Sequence, residues 1–565
     1  MPKKKDYSDW SKEDLIEHIK KLEKRKKYGL VWDEERTKEE FEERSQNALP
    51  VLVGVPELDI TTDPSQPTHI LIEGDNYHAL SVLNYTHEKS VDVIYIDPPY
   101  NTGNVSWKYN NRIVDKEDAY RHSKFIAFME KRIRLSKSIL KSTGIFVCAI
   151  DDYEIHNVRH LLDEIFGENN RLSTIVVVHN PRGRNDDKYV ATMHEYMLVY
   201  AVEKELAKVA HFPFSDEEIE QFNKKDEISD FGETPFMRTG NNSNRVDRQK
   251  LFYSIYYDPI EKHLSLEKSE HSMELFPINE SGEEKTWRWG KETFQRDKDT
   301  ELIVKTVKSQ YRIYKKRRIT TNPGSKPTSV WYEPRYDASS HGIMLLQNIF
   351  GKKDVFPYPK SLWTLTDTIS LLAPENGTIV DFMAGSGTTG HATQMLNYDK
   401  GTRQAILCTN NEGNICTDVC RPRLEKSFMG YEDLKRRPVH GLGGNLKYFR
   451  TDFVPAEATD ENKALLTRRS VEMLCLREST FDLVSDQSEW KVYKNQTNHT
   501  AILFNQRLIS TVKNEITGIT GPVSVYIFSL GDDDFSQQFE EFGGRVKVCA
   551  IPEAILRVYR RIFKE

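Results

Sequence analysis

The chain has 565 residues, of which 38% are hydrophobic, 11% aromatic and 29% charged, with a formal net charge of -6. That is too long for one core and too apolar for disorder, and six cysteines in such a length exclude a disulfide framework. No stretch approaches the roughly 18 apolar residues of a membrane span, and MPKKKDYSDW lacks the apolar run of a secretory signal, so a cytoplasmic protein is expected.

Residues 1–54 are dense in Lys and Glu, with Leu15, Ile19 and Leu22 at helical spacing, and read as an N-terminal helical arm. Over 55–204 strands alternate with helices. HILIEGDNYHAL is strand, acid, helix; VDVIYIDPPY is a second strand; SKFIAFMEKRIRLSKSIL is a long amphipathic helix; GIFVCAIDD, STIVVVHN and HEYMLVYAV are further strands. This rhythm predicts a mostly parallel, doubly wound α/β sheet covered by helices on both faces. Over 205–335 it gives way to short polar and aromatic strands (KLFYSIYYDP, KTWRWGKETF, YRIYKKRRI), as expected of an inserted domain. Alternation resumes over 336–430 with the helix TLTDTISLLA, the strand, glycine loop and helix of GTIVDFMAGSGTTGHATQML, and the strand RQAILCTNNE. Residues 431–565 hold the strands AILFN, VSVYIFSL and VKVCAI and the basic helix EAILRVYRRIFKE, read as a separate small α/β domain.

Two stretches carry chemistry. In VDVIYIDPPY a buried strand ends in Asp97, followed by Pro98, Pro99 and Tyr100. Two prolines stiffen the backbone that presents the carboxylate. In VDFMAGSGTTGHA a strand ends in Asp381, and Gly385 and Gly387 let the backbone approach a ligand while Ser386, Thr388 and a helix N-terminus offer donors. GSGTTG also leaves a dinucleotide loop open.

Taken together, Asp381, Phe382, Ala384, Gly385, Ser386, Gly387, Thr388 and Thr389 resemble the AdoMet-binding loop of DNA amino-methyltransferases, and Asp97, Pro98, Pro99 and Tyr100 resemble their catalytic loop. The order catalytic loop, insert, AdoMet loop resembles the β-class permutation. LIEGDNYHAL, DPPYNTGN, NPRGRNDDKYVATMHEYMLVY, VWYEPRYDASSHG and FPYPKSLWTL resemble modification subunits of Type III restriction-modification systems. The resemblance implies an AdoMet-dependent methyltransferase fold and a DNA adenine-N6 methyltransferase that flips its target base. It further implies a homodimer, a separate restriction subunit and no metal. Asp75 and Asn76 would then lie near the cofactor's adenine end, Glu412 would accept the ribose hydroxyls, and Lys360 with Ser361 would complete the methionine pocket.

In this family the insert, 205–335, is the target recognition domain, and Arg238, Asn241, Arg245, Arg248, Lys315, Lys316, Arg317 and Arg318 are its candidate DNA contacts. Arg182, Arg184, Asn185 and Lys188 would hold the strand beside the flipped base. Cytosine N4 as target amine, an orphan enzyme without a nuclease partner, and a purely DNA-recognising subunit remain alternatives. Three weaker patterns are the His194-Glu195 start of a zinc motif, the spacing of Cys408, Cys416 and Cys420, and a nuclease-like Asp482, Glu489, Lys491. No GxxxxGK[ST] loop occurs, so any ATP-driven translocase would belong to a partner.

Overall fold

A computed structural model describes residues 47–101, 121–183, 188–321, 324–531 and 533–563, with short pieces at 11–12, 15–16, 108–109 and 112–113. The expected N-terminal arm falls almost wholly outside these residues. The chain divides into two compact units, residues 1–209 with 328–565, and residues 210–327.

In the first unit β1 (Ala48–Gly54), β2 (Thr68–Glu73), α1 (Asn76–Thr86) and β3 (Val91–Ile96) are followed by α2 (Arg121–Ile139), β4 (Leu140–Ile150), α3 (Ile155–Phe166), β5 (Arg171–Val178) and β6 (His194–Ala201). The second unit carries β7 (Lys224–Lys225), β8 (Asp230–Pro235), α4 (Lys291–Glu301), β9 (Leu302–Val307) and β10 (Gln310–Arg318). The first unit resumes with β11 (Val330–Trp331), α5 (Leu362–Leu372), β12 (Thr378–Asp381), α6 (Thr388–Asp399), β13 (Gln404–Thr409), α7 (Arg421–Met429) and β14 (Asn445–Pro455).

The main sheet runs β1-β14-β2-β13-β12-β3-β4-β6-β5-β11. Its centre, from β14 to β4, is parallel, and antiparallel pairs flank it at β1 and at β6. Every residue of β3 is buried, as a strand covered on both faces requires. The one acid inside it, Asp92, is compensated by Lys141 at 2.8 Å and by the Thr378 N–H at 2.9 Å. β12 and β3 pair in parallel, Ile379 opposite Val93 and Val380 opposite Ile94. From β12 the chain returns through α6 to β13 on one side, and from β3 through α2 to β4 on the other. A crevice at such a switch point is where open α/β sheets bind ligands.

Several expected boundaries change. The β1 segment, expected in the helical arm, pairs antiparallel with β14, and β14, expected in the C-terminal domain, joins β1 to β2. β11 adds to β5, so the insert is residues 210–327 in place of 205–335. These pairings join residues up to several hundred positions apart, which composition along the chain does not register.

Beyond β14, α8 (Asp460–Arg469) and α9 (Val471–Glu478) lead to β15 (Asp482–Gln487), β16 (Trp490–Lys494) and β17 (His499–Leu503). Then come α10 (Ile509–Thr517), β18 (Val523–Phe528), β19 (Val546–Ile551) and α11 (Glu553–Phe563), the five strands forming a sheet in sequence order. This region is not a separate body. Met473, Leu474, Tyr526, Ile555 and Tyr559 belong to the same core as Ile70, Leu80 and Ile94. The Tyr559 hydroxyl donates to the Pro50 carbonyl at 2.5 Å.

In the second unit β7, β8, β10 and β9 form an antiparallel sheet, in that order, over a core of Phe236, Trp287, Phe294 and Ile313. Ile255–Asp258, His263–Ser265 and Met273–Leu275 make a second small sheet. Among the described residues no helix is long and apolar enough to cross a membrane.

Candidate active site

β3 delivers Asp97 to the C-terminal edge of the sheet with its side chain one quarter exposed. The far end of its loop is pinned. Asn101 takes a left-handed φ of 54°, is buried, and donates to Glu154 Oε1 at 2.5 Å, while Asn157 donates to Glu154 Oε2 at 2.8 Å. His122 Nδ1 lies 2.6 Å from the same carboxylate.

Asp97 is not alone. Lys360, on the segment that opens α5, places Nζ 3.1 Å from Asp97 Oδ1 and 2.6 Å from Glu195 Oε2. The Tyr100 hydroxyl donates to Glu195 Oε2 at 2.8 Å and accepts from Lys360, whose ammonium also sits 4.6 Å from the Tyr100 ring centroid. The hydroxyl end of Tyr100 is therefore engaged with both the ammonium and Glu195. A buried carboxylate, Glu195, and a partly buried one, Asp97, share one ammonium. Burial pushes the Asp97 carboxyl above its ordinary range, Lys360 draws it down and Glu195 pushes it up. Burial raises Glu195 too, but Lys360 and His179, 4.0 Å away, hold it below the ordinary value. Glu195 entered the sequence reading only through the zinc pattern. An acid inside the apolar strand HEYMLVYAV was the available signal, because a buried strand carboxylate needs a partner.

The glycine loop is built by Asp381. Its carboxylate, buried at the end of β12, accepts from the Met383 N–H at 2.9 Å and from the Thr389 hydroxyl at 2.5 Å. Gly385 and Gly387 hold φ of 49° and 78° before α6 begins at Thr388. Ser386 and Thr388, expected to face a ligand, are instead buried and accept from Arg423 at 3.0 and 2.7 Å. Within the loop the Gly387 N–H is itself spent on the Ala384 carbonyl at 2.8 Å. Phe382 is fully buried and the Ala384 N–H donates to the Cys408 carbonyl at 3.0 Å, so both act by supporting the loop.

Burial raises the Asp381 carboxyl from its ordinary 3.8 to about 7. Between those values the folded chain keeps a proton that the unfolded chain has lost. This group therefore stabilises the fold at low pH, and its contribution disappears as pH rises through about 7, by up to about 1.4 kcal/mol per pH unit. Asp381→Asn should flatten the fall in melting temperature between pH 5 and pH 8, and parallel curves for variant and parent would refute the assignment.

The Asp75 side chain caps α1 through the Tyr77 N–H at 2.8 Å. Asn76 donates to the Phe382 carbonyl at 3.1 Å and accepts from Arg132 at 2.5 Å. Arg132, fully buried on α2 and not singled out in the sequence, also reaches Asp75 at 3.4 Å. These residues brace the backbone at the start of the glycine loop. Glu412 lies exposed just past the end of β13, on the same sheet edge as the loop. Ser361 is buried and donates to the Arg335 carbonyl at 2.7 Å, which anchors the Lys360 segment.

The expected DNA contacts separate into two groups. Arg318, nearly fully buried, is bonded to Asp226 and Glu301, and Lys316 to Asp226 at 2.6 Å, so both hold the second unit together. One guanidinium nitrogen of Arg245 donates to both carboxylate oxygens of Glu284, and Arg317 reaches Gln221 and covers the Phe222 ring. Asn241 and Arg248 are exposed, Arg238 partly so, and Lys315 packs over Trp289. In the loop between β5 and β6, at the Asp97 edge of the main sheet, Arg182 and Lys188 are exposed, whereas Arg184 and Asn185 lie outside the described residues.

The nuclease-like trio does not assemble. Asp482 stands opposite Lys494, Lys491 pairs with Asp486 at 2.7 Å, and Glu489 with Arg468 at 3.4 Å. Cys408, Cys416 and Cys420 are buried free thiols, and the described residues contain no group of three or more His, Cys, Asp or Glu arranged for a metal.

A family profile described as DNA methylase matches residues 91–435. The Type II methyltransferase M.KpnI of Klebsiella pneumoniae is 34% identical over 344 residues, covering 60% of this chain and 79% of that protein. The Type III restriction-modification enzyme EcoPI Mod subunit of Escherichia phage P1 is 31% identical over 375 residues, 61% of this chain and 58% of its own length. The chain thus spans little more than half of that Mod subunit. Among solved structures, the PvuII DNA methyltransferase (cytosine-N4-specific) is 11% identical, with a TM-score of 0.32 and coverage of 63% of this chain and 87% of that chain.

Proposed function

The chain belongs to the DNA methylase family, and from that premise we propose that it is an AdoMet-dependent DNA adenine-N6 methyltransferase, the modification and recognition subunit of a Type III restriction-modification system. The observation that carries this reading is the meeting of the Asp97 loop and the glycine loop on adjacent parallel strands at the sheet's switch point.

The residues suit the cofactor. The glycine loop leads into the N-terminus of α6, which offers its positive end to a carboxylate, and Glu412 offers an exposed acid to ribose hydroxyls. Asp75, Asn76 and Arg132 keep the loop in shape. When bound, AdoMet supplies a methyl group on a sulfonium that departs as a neutral thioether. The chain's own task is to make a poor nucleophile attack it. The lone pair of an exocyclic amine is delocalised into its ring. Asp97 accepts one N–H and the Pro98 carbonyl the other, which localises that pair and stabilises the positive charge developing on nitrogen. Pro98 and Pro99 hold the acceptors in place beforehand, so little reorganisation remains for the transition state. An adenine in a duplex reaches the site only by flipping out, at a cost of a few kcal/mol.

Duplex DNA is the substrate. Arg182, Lys188, Arg238, Asn241, Arg248 and Lys315 are the candidate contacts left after the ion-paired residues are removed. A second copy of the chain and a separate restriction subunit complete the assembly.

Transfer of labelled methyl from AdoMet to duplex DNA, followed by nucleoside analysis, tests the reading. N6-methyladenine at one sequence motif is the expected product. N4-methylcytosine would move the target to the other amine, and label absent from DNA would end the proposal.

A further inference from the structure

We propose that Lys360 is a positioning residue for the transfer step: its ammonium occupies the place on Asp97 that the target amine must take, and Glu195 is the second carboxylate that receives it. This rests on the amino-methyltransferase reading and reassigns Lys360 from the methionine pocket to the reacting end.

The geometry leaves the lysine little else to do. An ammonium has three donors, and here three acceptors surround it: Asp97 Oδ1 at 3.1 Å, Glu195 Oε2 at 2.6 Å and the Tyr100 hydroxyl. Its side chain is 13% exposed and that of Glu195 only 4%, so the pair is screened little by water. Asp97 is the longer contact and the more exposed carboxylate. An incoming N–H therefore competes for the weaker of two bonds, while the stronger one retains the lysine inside the site.

A cation is needed there. From β3 itself Tyr95 faces Asp97, from β4 Cys148, from β12 Asp381, and from β6 Glu195. Tyr100 follows on the loop, and His179, just past β5, faces Glu195. Lys360 is the cation within contact distance of both Asp97 and Glu195 in this group. Without it, burial and the Glu195 charge would push Asp97 further toward its protonated form, which presents an O–H where an acceptor is required. Burial already pushes the Asp97 carboxyl upward, and Lys360 is what draws it back.

The test is the pH profile of kcat/KM for duplex DNA in the full-length chain, for wild type, Lys360→Met, Lys360→Arg and Glu195→Gln, with melting temperatures alongside. In Lys360→Met the acidic limb should move up by at least about one pH unit, with kcat falling and the KM for AdoMet nearly unchanged. Lys360→Arg keeps the charge and should return the limb toward wild type. Glu195→Gln should move the limb down, since Asp97 loses a like charge, and should raise the KM for DNA, since Asp97 is left as the lysine's one anionic partner in the cluster. If Lys360→Met loses stability, the arginine and glutamine variants still carry the comparison. An unshifted limb in Lys360→Met, or a defect confined to the KM for AdoMet, overturns the proposal and returns Lys360 to the cofactor pocket. A wild-type chain that methylates no DNA at any pH overturns the reaction reading as well.

Discussion

Asp97→Ala abolishes methyl transfer, lowering kcat by about 10³-fold or more while AdoMet binding changes less than about threefold. Removing a single preorganised group that stabilises transition-state charge costs about 10²- to 10³-fold in comparable sites. Here the lost carboxylate also positions the amine, so the effect should lie at the upper end. The fold should survive. Lys360 keeps Glu195 and Tyr100 as partners, so no buried ammonium is orphaned, and a carboxyl that burial pushes upward is removed. The melting temperature is expected to hold or rise slightly. Quantitative N6-methyladenine measurement beside AdoMet titration decides the matter. Methylation that persists in the variant sinks the assignment of Asp97, and a collapse of the fold sinks the account of the ion cluster.

Gly387→Val should disable the cofactor loop, and Gly387→Ala should weaken it. At φ 78° any side chain is strained, by about 1–2 kcal/mol, and a β-branched one by more. A Cβ there would also stand 3.0 Å from Cys420 Sγ and 3.4 Å from the Cys420 carbonyl oxygen, behind which α7 begins. Neither neighbour yields without shifting the segment that carries Arg423, and Arg423 is the clamp on Ser386 and Thr388. We expect AdoMet affinity to drop by about tenfold for alanine and beyond measurement for valine, with a lower melting temperature for both. Gly385 is the internal control. Its φ is 49°, but a Cβ there meets Phe356 at 3.5 Å and the Met383 carbonyl oxygen at 4.0 Å, both ordinary contacts, so Gly385→Ala should lose less stability than Gly387→Ala. Cys420→Ala combined with Gly387→Ala should recover the contact with Sγ and leave the torsional part. Equal melting temperatures for the two single glycine variants would refute this account.

The parts legible in the sequence were those with local causes. The strand VDVIYI announced its burial on both faces by having an apolar run interrupted only by Asp92. The acid and prolines after it, and the glycines after Asp381, marked backbone held in unusual shape for a purpose. The alternation of strands and helices carried the parallel sheet. Patterns of period 2 and 3.6 are written in neighbouring residues, so a single chain suffices to read them.

What the tertiary structure decided were pairings between distant residues. Nothing near FPYPKSL shows that Lys360 reaches Asp97, 263 positions earlier by subtraction of 97 from 360, or that Glu195 completes the cluster. The basic run YKKRR looked uniformly available to DNA. Folding spent Lys316 and Arg318 on Asp226 and Glu301, because a strand inside a sheet turns alternate side chains inward and a buried charge must find a counter-charge. Ser386 and Thr388 turned from the ligand to Arg423 because the N–H groups of a buried guanidinium need acceptors. By itself the sequence determined the fold class and the two loops where chemistry happens, since these depend on local backbone preference. Which charged side chains stay free to act depended on the company that folding brought to each, and only the three-dimensional structure holds that information.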